Sequence, residues 1–155
     1  MTLAKSIAKH FREVFLGGNW TYVNLRETLA DVDLKMATKK TEGFNSIAAL
    51  SFHIGYYVAA VLKVLQGEKL NASDKYSFDV PLIETEDDWK KLTNKIFEDA
   101  ETFANLIEQM PDEKILEDFP ESKYGSYYRN LCGIIEHTHY HMGQIVIIKK
   151  ISTIQ

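Results

Sequence analysis

One cysteine and three prolines are all that this 155-residue sequence holds of the residues that staple or break a chain most firmly. The lone Cys132 excludes an intrachain disulfide, so the fold must rest on its core, and it fits a reducing compartment. Proline occurs only at 81, 111 and 120, which makes breaks in helical periodicity easy to place. No apolar run approaches the roughly 20 residues that span a bilayer. The longest candidate, around Ile54 to Leu65, is broken by Gly55, two tyrosines and Lys63. The opening segment from Met1 to His10 carries charge every few residues and lacks the apolar stretch of a secretion signal, so a cytoplasmic protein is expected. Concentrated positive charge is missing as well. The net charge is −4 and the 18 Lys and Arg residues are scattered, which disfavours nucleic acid as a partner. There is no internal repeat.

What is present is ordinary globular composition, 45% hydrophobic and 26% charged, in a length that fits one domain over residues 1–155. Four segments show helical periodicity. Leu3, Ile7, Phe11, Val14 and Phe15 recur at that spacing until Gly17-Gly18, and Trp20, Val23, Leu25, Leu29 and Val32 resume it. This predicts one interrupted helical arm over about 2 to 31, with Asn19 capping the restart. A second helix is expected from Asn45 or Ser46 to Gly67. It is apolar around most of its circumference, as a helix buried on several sides would be. The polar stretch 68–84 is too long for a tight hairpin and lets the second and third helices run parallel through a crossover. Thr85 with Asp88 forms a capping-box pattern at the start of the third helix, whose face is marked by Trp89, Leu92, Ile96, Phe103, Ile107 and Met110. After a mostly irregular stretch at 111–125, a fourth helix runs from about Ser126 to Ile151. The expected fold is all-α: a four-helix bundle with an interrupted first helix and a long connection between helices two and three.

Chemistry concentrates in the fourth helix, which reads Glu136-His137-Thr138-His139-Tyr140-His141-Met142-Gly143-Gln144. Residues four apart differ by about 40° in direction and lie one turn apart, so His137 and His141 can converge on one ion. His139 points to another face. Spacing alone is a weak motif, and a metal site needs a third ligand. His53 leads because it sits midway along the most apolar helix, where an unpaired ring is costly. His10 is the other possibility, though its neighbours Lys9 and Arg12 point to exposure. A lone core histidine is commonly satisfied by a hydrogen bond instead, and Tyr56, Tyr57, Tyr127 and Tyr128 read as packing residues.

Two segments, Ser46-Ile-Ala-Ala-Leu-Ser-Phe-His53-Ile-Gly and His137-Thr-His-Tyr-His141-Met-Gly143-Gln144, resemble those of the DinB/YfiT-like family of metal-dependent four-helix bundles. The resemblance implies a metal triad of His53, His137 and His141. Met142 stands where the family often has a basic residue. Family members with known activity pair the metal with a low-molecular-weight thiol, in bacillithiol- or mycothiol-dependent transferases and isomerases, and self-association into homodimers is usual. Trp20 is a candidate for such a dimer surface.

Three imidazoles leave a coordination shell open, as in catalytic sites. Nitrogen ligands are compatible with zinc, nickel, iron or copper, and affinity order does not select among them; zinc or nickel is the expected ion. A metalloprotease base would follow the first histidine, where Thr138 stands, and a di-iron centre needs more Glu-x-x-His motifs than the single Glu136-x-x-His139. The expected function is a metal-dependent enzyme on a small-molecule substrate, thiol S-transferase-like or hydrolase-like. Tyr57, one turn beyond His53, is the candidate catalytic proton donor. The competing expectation is a non-catalytic metal-binding or stress-response module. Because the ligands must be neutral, metal release is expected as pH falls through roughly 6 to 5.

Overall fold

The computed structural model describes residues 1–154, which form an all-helical chain without a β-strand among the described residues. Helix α1 spans Leu3–Leu16, α2 Leu25–Leu29, α3 Leu34–Thr38, α4 Ile47–Leu65, α5 Glu86–Glu108, α6 Asp112–Leu116 and α7 Tyr127–Ile154. Short 3-10 turns at Asp74–Tyr76 and Ser122–Tyr124 interrupt the two longest connections.

The starts of these helices follow from side chains that satisfy orphaned amides. Thr2 caps α1, and the Asp112 carboxylate also accepts from the amides of Leu3 and Ala4 at 3.0 and 2.9 Å, tying α6 to the start of the chain. Ser46 caps α4. Thr85 and Asp88 make the expected capping box on α5. One expectation is corrected: the restart after the glycines is capped by Asn24, whose side chain accepts from Glu27, and not by Asn19. Gly17 and Gly18 hold φ of 118° and 96°, which only glycine adopts without strain, so the chain leaves its helical path there. The Asn19 amide donates to the carbonyls of Glu13 and Val23 and pins the loop that follows. The arm is therefore two helices with an irregular loop between them, and Trp20 in that loop is 93% exposed instead of continuing the apolar stripe. The short α3 and α6 lie in stretches where no helix was expected.

The four long helices pack in a closed ring, α1 on α5, α5 on α4, α4 on α7 and α7 on α1. Directions follow from which residues meet. Gly55 of α4 lies against Ile96 of α5, and some ten residues further along each helix Leu65 and Leu106 line one depression, so α4 and α5 run parallel. The crossover expected from the long connection is present. Arg12 of α1 reaches Glu101 and Glu108 while Leu3 meets Asp112 beyond the end of α5, so those two helices are antiparallel. Between α1 and α5, Phe11 stacks on Phe15 with centroids 4.5 Å apart and meets Phe103 at 4.6 Å with the rings tilted by 42°. Helix α4 begins at Ile47, directly after its cap Ser46 as expected, and, against the expectation that no apolar run approaches a membrane span, is long and apolar enough by composition to cross one. Of that stretch 61% is buried within the protein, which is how a core helix reads.

Candidate metal centre

His53 meets His141 while Ala60 and Val61, further along α4, line one cavity with Ile134 and Asn130, earlier on α7, so α4 and α7 are antiparallel neighbours. His53 of α4 meets His137 and His141 of α7, and ring centroids in the three pairs are 4.8, 4.6 and 4.5 Å apart. The Nε2 atoms of His53 and His137 approach to 3.0 Å, and one nitrogen from each ring lies within 4.8 Å of the other two. His53 and His141 are buried and His137 is partly buried. The three sequence candidates come together. His10 and His139 stay outside the cluster.

The outward nitrogens set the rings' orientation. His53 Nδ1 lies 3.2 Å from the Ser77 carbonyl and donates to it, which leaves Nε2 as the lone-pair nitrogen facing its neighbours. His141 Nδ1 lies 2.8 Å from Gln144 Oε1 and is oriented in the same way. His137 Nδ1 is buried without a partner. Zinc holds imidazole nitrogens at ~2.0–2.1 Å, so a tetrahedral shell places them about 3.3 Å apart, close to the separation between His53 and His137. Neutral nitrogen donors, two of them braced from behind, fit a borderline divalent ion. Burial supports neutrality. Desolvation, followed by the repulsion of His141 and His53, pushes His137 down to about 4, and desolvation also lowers His53.

The connection between α4 and α5 folds over this cluster. Phe78 stacks on His53 with the rings 3.9 Å apart and inclined by 10°, and Tyr56 accepts from the Ser73 amide at 2.8 Å. Tyr57 stands edge-on to both His53 and His137 at 5.1 and 4.9 Å, and its hydroxyl donates to Asp74. Desolvation first, then the Asp74 carboxylate, pushes Tyr57 up to about 12, so it keeps its proton at neutral pH. Tyr57 thus borders the histidines, as its spacing implied. Asp74, Ser77 and Phe78 were not expected from the sequence, because nothing in a polar connection announces which of its residues will meet a helix. Gln144 was visible only as part of the motif, without a role.

A cavity of about 420 Å³ opens beside the cluster, with His137, Tyr57 and Asp74 in its wall together with Val61, Ile134 and Arg129. A larger depression of about 670 Å³, between α2 and α5 around Arg26 and Phe97, touches none of the three histidines. No family model, curated protein or solved structure matches the chain.

Proposed function

We infer that the chain is a metal-dependent enzyme of the DinB/YfiT-like kind, a four-helix bundle that holds one divalent ion on His53, His137 and His141 and acts on a small molecule. Zinc or nickel is the favoured ion and iron is compatible. The observation that carries this reading is the convergence of three nitrogens within 4.8 Å beside a cavity of about 420 Å³. A fully enclosed cluster would serve structure alone. One that opens on a cavity leaves room for a substrate atom.

When bound there, the ion supplies Lewis acidity, which makes a water or a thiol easier to deprotonate. The chain supplies the rest. Asp74, a carboxylate in the cavity wall, is placed to take a proton, and Tyr57 donates a hydrogen bond to it and does not ionise at neutral pH. Phe78 and the folded connection cover His53 and exclude water from that side. The proposed reaction is thiol transfer to an electrophilic acceptor or hydrolysis, in a cytoplasmic homodimer.

A second reading has its own support. The triad ties α4 to α7, so an ion there can brace the bundle without turnover, as in a metal-binding or stress-response module. Assays with a panel of thiols and electrophilic acceptors, before and after metal stripping, separate the two. Metal-dependent product formation that His137→Ala abolishes is the expected outcome. A large fall in Tm on stripping, with no product from any pair, would favour the brace.

A further inference from the structure

The cavity beside the histidines is charged unevenly along its length. At the cluster end stand His137 and Asp74, and at the far end, where α7 begins, stand Lys123, Arg129 and Asn130. Lys123 is paired with Glu121 at 2.9 Å and lies over the Tyr124 ring. The Asn130 amide donates to the carbonyls of Tyr124 and Ser126. Arg129, an exposed residue, is among those lining the same cavity, and its guanidinium meets no carboxylate among the described residues. Gly125 makes room for it. A Cβ at 125 would lie 2.9 Å from Arg129 Cδ, so the absence of a side chain lets the arginine lie across the turn that precedes α7. Between the two ends the wall is apolar, built from Ala60, Val61, Leu70, Phe119 and Ile134.

We propose that Arg129 is the anion anchor of the substrate site, and that the substrate is a small monoanionic carboxylate with an apolar body whose other end reaches the histidine cluster. This inference rests on the metal reading above. A guanidinium presents a rigid fork that matches a carboxylate with two parallel hydrogen bonds. A single unneutralised cation opposite Asp74 suits one negative charge better than two. Asp74 repels an anion from the cluster end, which fixes the substrate's direction. Arg129 and His137 are eight residues apart on one helix, a rise of about 12 Å that the arginine side chain shortens, so the substrate spans less than two helical turns.

The test uses cobalt(II)-loaded protein and two thiols of equal length, 6-mercaptohexanoate and the neutral 6-mercaptohexanol. Binding is read from the sulfur-to-cobalt charge-transfer absorption. The expected result is an affinity about tenfold higher for the acid, the size of one charge-assisted bidentate contact. In Arg129→Gln that ratio falls to about one while cobalt content is unchanged. Equal affinities in the wild-type protein, or a preference that persists in Arg129→Gln, overturn the anchor and leave the metal centre standing. A chain that takes up no cobalt overturns both. Should Arg129→Gln fail to fold, the wild-type ratio alone decides.

Discussion

His137 has the least comfortable surroundings in the cluster. Its outward Nδ1 is buried without a partner, while the corresponding atoms of His53 and His141 rest on Ser77 and Gln144. Burial holds its folded-state pKa near 4, against an ordinary 6.5. Between these values the unfolded chain takes up a proton that the folded chain refuses, so the stability of metal-free protein falls as pH drops from about 6.5 toward 4. Below about 4 this contribution stops changing. Asp31 and Asp112, whose pKa values are lowered by Lys149 and by the amides of Ala4 and Leu3, add their own acid loss at lower pH. The comparison must therefore be with a variant. Urea midpoints of stripped wild type and His137→Asn across this window should show a shallower slope for the variant, and identical slopes would remove His137 as the cause. The same depression of His137 and His53 means that protons compete poorly for the ligand nitrogens. Metal release then moves below the window of 6 to 5 that ordinary histidines imply.

At the scale of elements, α4 and α5 approach closely two residues along from His53. A Cβ on Gly55 would lie 2.7 Å from Ile96 Cγ1, so the two helices approach at a point where only glycine fits without displacement. Gly55→Val should destabilise the fold by about 1–3 kcal/mol through overpacking, read as a lower urea midpoint, and Ile96→Val should recover part of the loss. A Gly55→Val protein as stable as wild type would show that the helices part freely there. Helix starts were legible where a cap stood directly before an apolar run, as at Ser46 and Thr85. Asn19 and Asn24 compete for the same role, and Trp20 drew the reading to the wrong one because an aromatic ring counts as core until its exposure is known. The histidines on α7 could be paired from helical geometry alone. His53 was the leading third ligand because an unpaired ring midway along the most apolar helix is costly, and the family resemblance reinforced it, although no spacing within one helix reveals which ring on another will face it. The connection over the site was illegible because its fold depends on Tyr56, Tyr57 and His53, which supply partners from a different element.

The whole molecule is a ring of four long helices in which α4, the most apolar, carries one side of the cluster and α7 the other. Metal binding and global stability are thereby linked, because an ion that binds only the folded chain raises its stability by mass action. Equilibrium dialysis of stripped protein against zinc at pH 7.5, with metal counted by elemental analysis in wild type and His53→Ala, tests the central claim most directly. One zinc per wild-type chain and almost none in a variant that keeps its helical circular-dichroism spectrum is the predicted result. Equal zinc in both proteins, or none in either, would contradict it.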